Sequence, residues 1–147
     1  MSTIRIQRED FDPAAELEAL TACGGKSGAV ASFVGLVRAD DGLTSMTIEH
    51  YPGMTEREIA SHAAEARRRW PIHELRIVHR VGTLNPGERI VFVGASAAHR
   101  KAAFEAVEFL MDYLKTRAPF WKQEERAGRK TWVTAKPEDE NAASRWR

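Results

Sequence analysis

The chain has 147 residues, of which 43% are hydrophobic and 29% charged, the balance of a globular protein that buries its own core. Its 22 basic and 21 acidic residues leave a formal net charge of +1, without the basic excess of a generic nucleic-acid-binding protein. No apolar run spans a bilayer, no secretory signal begins the chain, and the single Cys23 excludes an internal disulfide and a Cys-rich metal site. We expect one cytoplasmic domain over residues 1–147, with no membrane and no nucleic-acid partner.

The first half of the chain predicts three strands and two helices. Asp12 and Pro13 form a favourable N-cap and first turn for a short helix. Thr55 is expected to cap the second helix, with Glu58 in the capping-box position, and Pro71 to end it. In chain order we predict a strand over 3–7, a helix over 13–23, strands over 27–37 and 45–51, and a helix over 56–70.

The second half predicts two strands around an Asn-Pro-Gly turn, a long helix, a β-hairpin and a final helix. Phe104, Val107, Met111 and Leu114 follow the helical period and are expected to face the core. The mixed order of elements favours an α+β fold, with helices packed on a largely antiparallel sheet. The predicted elements are strands over 74–82 and 89–97, a helix over 98–117, a hairpin region within 118–136 and a helix from 137.

The segment DYLKTRAPFWK, residues 112–122, carries the strongest chemical signal. Lys115 leaves the last turn of the long helix, and Lys122 lies beyond the break at Pro119, so the chain can fold both lysines towards one point. Clustered and buried cations depress one another's pKa, which can produce a neutral, nucleophilic lysine. The same pattern also fits cations that only complement the dipole of the helix C-terminus.

His99 and Arg100 open the long helix, where free N–H groups also favour an anion. Arg38 follows a buried strand and suits a phosphate, although all three residues also fit an ordinary solvated surface. At ~1.5 Å per residue, the backbones of Arg100 and Lys115 lie roughly 22 Å apart along one helix. If both belong to one site, two subunits must share it across a dimer with antiparallel helices.

The histidines show no metal-ligand spacing. They show neither an H-x-x-x-H pattern nor the carboxylate spacing typical of a metal site, so we predict no metal site. His50 and His79 fall in predicted strands and are interpreted as structural. No glycine-rich phosphate-binding loop is present either.

Six segments of the chain resemble, in order, the large catalytic subunit of molybdopterin synthase. The likeness runs from about residue 28 to residue 146, and its last segment is highly specific. The segments are EHYPGMTE (49–56), RWP (69–71), HRVG (79–82), PGE (86–88), SAAHR (96–100) and MDYLKTRAPFWK (111–122).

This resemblance implies an α/β hammerhead fold, no cofactor, and a sulfurtransferase of molybdenum cofactor biosynthesis. Such enzymes transfer two sulfurs from the thiocarboxylated C-terminal Gly-Gly of a small ubiquitin-like subunit to cyclic pyranopterin monophosphate, which forms the dithiolene of molybdopterin. The large subunit is the central homodimer of a heterotetramer. By motif, the resemblance implies catalytic Lys115 and Lys122, substrate binding by those two and by Leu36, Val37, Arg38, His99, Arg100, Gln123 and Glu124, and a pocket lined by Phe33, Met111 and Lys136.

The sequence departs from the family pattern at three places. Lys136 stands where relatives often have an arginine, which removes a bidentate contact. Leu36 and Val37 offer only backbone groups to a ligand, and the loop over 39–42 is acidic for a phosphate site. Two other functions fit parts of the pattern: a phosphate- or nucleotide-binding module without turnover, and an RNA-binding domain that stacks bases on Phe120 and Trp121.

Overall fold

The computed structural model describes residues 1–147 as four helices and eight strands. This is the α+β class that the sequence predicts. No helix has both the length and the apolar character needed to cross a bilayer. The elements are β1 (Ser2–Gln7), α1 (Pro13–Thr21), β2 (Ala29–Leu36), β3 (Leu43–His50), α2 (Met54–Arg69), β4 (Ile72–Arg80), β5 (Gly82–Leu84), β6 (Arg89–Ala97), α3 (Arg100–Thr116), β7 (Phe120–Arg126), β8 (Arg129–Trp132) and α4 (Pro137–Ser144).

The strands form two sheets rather than the one we expected. The first sheet has the order β1-β4-β6-β2, in which only the β1–β4 pair is parallel. The second sheet has the order β5-β3-β7-β8 and is antiparallel throughout. Because β5 has only three residues, its alternation was too short to show in the sequence.

The first sheet is covered on both faces. On one face Leu20 of α1 packs with Val78 and Phe92. On the other face the main core includes Ile77 of β4 and Leu110 of α3. Since side chains alternate along a strand, a strand covered on both sides is buried along its length, as β6 is from residue 90 to residue 97.

Two local predictions were wrong. Gly53, not Thr55, precedes α2, and its N–H donates to the Glu56 carboxylate at 2.8 Å. The Thr55 hydroxyl is fully buried, accepts from Tyr51 N–H at 2.9 Å and donates to the Pro119 carbonyl at 3.0 Å. Thr55 therefore holds the segment between α3 and β7 in place, which matters because that segment separates the two candidate lysines.

Phe104 is 62% exposed, although its helical spacing predicted a core position. The buried face of α3 runs instead through residues such as Ala103, Ala106 and Leu110. Phe104 shares the other face with Met111 and Lys115, since positions seven and eleven residues apart align on a helix. Val107 and Leu114 are buried as predicted and Met111 is partly buried against the core, so the predicted stripe was wrong only at Phe104.

Candidate functional site

Lys115 and Lys122 line the same cavity. It has a volume of about 40 Å³ and lies between the first sheet, the last turn of α3 and strand β7. The polypeptide turns sharply after α3, where the N–H groups of Arg117 and Ala118 both donate to the Tyr113 carbonyl, at 2.8 and 3.1 Å. This turn brings the two lysines together from opposite sides of Pro119. The cavity is lined by Phe33, Gly35, Leu36, His79, Ile90, Val91, Met111, Leu114, Lys115 and Lys122.

The edge strand β2 supplies an apolar wall of this cavity. Its pairing with β6 shifts register between Gly35 and Leu36, and such a bulge re-aims the side chains that follow it. A Cβ at Gly35 would lie 2.8 Å from Val91 Cγ1, so the close approach of the two strands requires glycine there. Phe33 and Leu36 remain 40% and 57% exposed, which leaves this wall open to a ligand.

Burial and charge make Lys122 unusual. The pKa of Lys122 is lowered to about 8, first by burial and then by the positive charge of Lys115, against the opposing effect of Asp139 and Glu124. A lysine with such a pKa exchanges protons near neutral pH, as a general acid or base must. The depressed pKa that the clustering predicted is therefore found at Lys122.

The same two lysines also face a second, larger cavity of about 230 Å³. Its far side is the segment from Val133 to Asp139, which leads from β8 into α4. Lys136, a predicted pocket residue, lines this cavity. Asp139, which lies in the acidic run over residues 138–140, also lines it, although the sequence did not connect that run with the site. The lysines thus stand between an apolar cavity and a polar one.

His79 is the residue that sequence reasoning missed. It lies on β4 with 2% of its surface exposed, its ring stacks on Phe120 at 3.9 Å, and it borders the smaller cavity. Burial first, then the charge of Lys122, lowers the pKa of His79 to about 3, so the ring is neutral. Its position in an apolar strand indicated a structural histidine, and only the fold shows that β7 and α3 bring two lysines against it.

Several residues implied by the family resemblance lie away from the cavities in one chain. Arg38 is 76% exposed at the side chain and pairs with Asp40 at 3.0 Å. His99 and Arg100 are exposed at the start of α3, sixteen residues of helix away from Thr116. These exposed side chains can meet another molecule, but this chain alone does not bring them to the lysines.

Of three further predicted residues, two are already engaged in the fold and the third, Gln123, points away from Lys122. Val37 is buried, its N–H donates to the Glu88 carbonyl at 2.9 Å, and its carbonyl accepts from Gly87 at 2.7 Å. Gln123 points to the face of β7 opposite Lys122, because side chains alternate along a strand. Glu124 shares the face of Lys122 and pairs with Arg126 at 2.8 Å.

No group of three or more His, Cys, Asp and Glu side chains is close enough to hold a metal ion. The side chains that line the two cavities include amines, an imidazole, the Asp139 carboxylate and apolar walls. Two adjacent lysines, one with a lowered pKa, define a site that attracts anions and moves protons. An α+β protein with such a site at the seam of two sheets has the character of an enzyme that acts on an anionic small molecule.

Comparison with known proteins identifies the family. The family model described as MoaE protein matches residues 6–117. The curated molybdopterin synthase catalytic subunit of Mesorhizobium japonicum is 56% identical over 99% of this chain and 93% of its own length. The chain belongs to the MoaE family of molybdopterin synthase catalytic subunits and is an enzyme of molybdenum cofactor biosynthesis.

Solved structures agree with this assignment. The molybdopterin biosynthesis MoaE protein from Burkholderia ambifaria MC40-6 superposes with a TM-score of 0.85 at 53% identity, covering 99% of this chain and 98% of that one. A complex of subunits 1 and 2 of the molybdopterin-converting factor from Helicobacter pylori 26695 shares the fold, with a TM-score of 0.76 at 23% identity over 88% of this chain and 89% of that one.

Proposed function

We propose that this chain transfers two sulfurs to cyclic pyranopterin monophosphate in the cytoplasm and so forms the dithiolene of molybdopterin. The sulfurs come from the thiocarboxylated C-terminal Gly-Gly of a small ubiquitin-like subunit. The observation that carries the proposal is the position of Lys115 and Lys122, which face two adjoining cavities at once. A sulfurtransferase needs that arrangement, because the donor and the acceptor must meet at one group of catalytic side chains.

The two lysines take different roles. Lys115 is exposed at the end of α3 and is the principal catalytic group, which stabilises negative charge on the thiocarboxylate or on the intermediate. Lys122, with its pKa lowered to about 8, exchanges protons with the intermediate at neutral pH. Phe33 and Met111 line the apolar side of the smaller cavity, where they exclude water from the reacting atoms.

The carrier tail fits the larger cavity. A Gly-Gly terminus is thin and extended, and this cavity of about 230 Å³ leads along residues 133–136 to the lysines. Its polar rim includes Lys136, which can neutralise the anionic tail. The small carrier subunit then docks on the outside of the second sheet, where Trp132 is 57% exposed.

The substrate phosphate requires a second copy of the chain. Arg38, His99 and Arg100 are the exposed side chains proposed to bind it, but α3 separates Arg100 from Lys115 by roughly 22 Å at ~1.5 Å per residue. A homodimer with antiparallel α3 helices brings Arg100 of one protomer to Lys115 of its partner. Two carrier subunits on that dimer complete a heterotetramer.

Turnover tests the reaction. Purified chain, thiocarboxylated carrier and cyclic pyranopterin monophosphate are mixed, and dithiolene product is measured for wild type, Lys115→Ala and Lys26→Ala. We expect wild-type rates from Lys26→Ala, an exposed lysine after α1, and a loss of at least ~100-fold from Lys115→Ala with the carrier complex intact. No product from wild type would favour the binding-module alternative, and equal product from all three would remove Lys115 from the mechanism.

Mixing two inactive variants tests the shared site. In a dimer of one Arg100→Ala protomer and one Lys115→Ala protomer, one site carries both substitutions and the other carries neither. Random mixing therefore restores about a quarter of wild-type activity if the site spans two protomers. If each site lies within one protomer, the mixture stays as inactive as its components.

The RNA-binding alternative requires Phe120 and Trp121 to be available for stacking on bases, and the fold disfavours this for Phe120. Phe120 is partly buried and stacks on His79, with an angle of 15° between the rings, so one face of its ring is already covered. Only Trp121 of the proposed pair is substantially exposed, at 47%. One exposed ring of the proposed pair and a net charge of +1 give this alternative little support.

A further inference from the structure

We propose that His79 is a positioning residue of this site, whose unprotonated Nε2 accepts a hydrogen bond from Nζ of Lys122 and directs that amine into the cavity. Both side chains line the smaller cavity, and the hydrogen bond between them is the inference. Its consequence for catalysis rests on the function proposed above.

The tautomer of His79 follows from its one hydrogen bond. Nδ1 lies 2.8 Å from the carbonyl oxygen of Arg80. A carbonyl oxygen can only accept, so Nδ1 carries the proton and Nε2 of the neutral ring carries a lone pair. Since the ring makes no other hydrogen bond, Nε2 remains available on the side that borders the cavity.

The cavity lacks any other strong side-chain acceptor. Seven of its ten lining residues are apolar or glycine, and two are lysines, which as ammonium ions only donate. An ammonium or amine N–H that is removed from water needs a partner, because an unsatisfied buried donor is costly. Within the smaller cavity, His79 Nε2 is the side-chain acceptor that can meet this need, whereas the carboxylate of Asp139 lines the larger cavity on the other side of Lys122.

The geometry of β7 favours Lys122 over Lys115 as the donor. Phe120 and Lys122 are two residues apart on one strand, so their side chains leave the same face of it. Phe120 covers the face of the His79 ring, and Lys122 is the next side chain along. Of the two lysines beside His79, Lys122 acts on it more strongly than Lys115.

A neutral acceptor serves Lys122 in both of its protonation states. One N–H remains bound to Nε2, so the other protons, or the lone pair of the free amine, face the substrate. His79 stays neutral at neutral pH because its own pKa is lowered to about 3. It therefore orients the amine without competing for the proton that is transferred.

Lysine NMR on the isolated full-length chain tests the pairing without any turnover. The titration of the Lys122 ε-methylene carbon, assigned with Lys122→Arg, is compared in wild type, His79→Gln and His79→Phe. Because the acceptor stabilises the ammonium form, His79→Phe should move the Lys122 titration to lower pH by roughly one pH unit. His79→Gln, which keeps an acceptor near Nε2, should stay close to wild type.

The matched control is His73→Gln, on the same strand but bonded to Ser27 at 2.6 Å and outside both cavities. We expect no change in the Lys122 titration from this control. An unchanged titration in His79→Phe would overturn the proposal. If His79→Phe does not fold, nitrogen NMR of wild-type His79 decides: a protonated Nε2 overturns the pairing, and an unprotonated one supports it.

The catalytic consequence is measured separately. His79→Phe should lower kcat on the order of 10-fold to 100-fold with KM for the pterin little changed, and His79→Gln should recover most of that loss. A shifted Lys122 titration in a protein without synthase activity would retain the His79–Lys122 pair and reject the proposed function. An active enzyme in which His79→Phe leaves the Lys122 titration unchanged would reject the His79–Lys122 pair and retain the proposed function.

Discussion

The two sheets of this protein differ in how much of themselves they bury. In the first sheet, eight of the nine residues of β6 are buried, whereas all four residues of β8 in the second sheet are exposed. The first sheet is covered on both faces and supplies the stability of the fold. The second leaves side chains free to meet ligands, and the candidate site lies where the two meet, with His79 from β4 and Lys122 from β7.

The largest effect on stability is expected in the first region, at Glu16. Its carboxylate is buried on α1, accepts from Arg76 of β4 at 3.0 Å and also pairs with Arg5 of β1. Glu16→Ala leaves two arginines without their partner and should lower the free energy of unfolding by about 3–5 kcal/mol. Urea denaturation measures this, with the exposed Glu18→Ala as the control, expected within about 0.5 kcal/mol of wild type.

At the candidate site between the two sheets, a substitution is expected to stabilise the fold instead of destabilising it. Lys122 is charged at pH 7 in a site that disfavours its charge, so Lys122→Met should raise the free energy of unfolding by about 1–3 kcal/mol while abolishing turnover. The expected gain is smaller than the free energy that corresponds to the full pKa shift, because the Lys122 side chain keeps some contact with solvent.

The pH dependence of that gain follows from linkage. With a folded pKa near 8 and an ordinary value of 10.5, the unfolded chain binds more protons between these values, so wild-type stability rises with pH across that interval. The advantage of Lys122→Met should therefore shrink as the pH rises from 8 to 10.5. An advantage that is constant with pH would show that packing, not charge, causes it.

A pair of glycines compares the regions directly. A Cβ at Gly94 in β6 would lie 2.4 Å from Leu20 Cδ1 and 2.8 Å from Phe92 Cε1, so Gly94→Ala should cost about 1–3 kcal/mol. At Gly128, in the β7–β8 turn, a Cβ meets nothing within 4 Å, and only the φ of +77° opposes a side chain. Gly128→Ala should cost about 1 kcal/mol, and thermal unfolding of both variants gives the comparison. Equal costs would mean that the first sheet adjusts more easily than its packing indicates.

The smallest effect on stability is expected at Trp132, on the exposed face of the hairpin. Its ring is 57% exposed, so Trp132→Ser should change the free energy of unfolding by less than about 0.5 kcal/mol. The same change should weaken binding of the carrier subunit, since exposed aromatic side chains on a sheet often anchor a partner. Calorimetry of carrier binding checks this, and an unchanged affinity would place the carrier elsewhere.

Much of the fold could be predicted because local signals were strong. Asp12 does cap α1, with its side chain accepting from Ala14 N–H at 3.0 Å, and the hairpin turn falls at Ala127 and Gly128, both with positive φ. Thr55 could not be assigned from sequence, since its hydroxyl serves Tyr51 and Pro119, and Pro119 is 64 residues distant along the chain. Capping rules describe contacts between residues close in sequence, whereas Thr55 and Pro119 are close only in the folded structure.

For the site, the sequence by itself determined that Lys115 and Lys122 flank a helix break, and its motifs determined the family. Only the tertiary structure decided that Lys122 is the lysine with the lowered pKa, that Lys136 and Asp139 border a second cavity, and that His79 faces both lysines. The reason is physical: charge type and helix breaks belong to the local chain, whereas desolvation and electrostatic coupling depend on which distant elements close around a side chain.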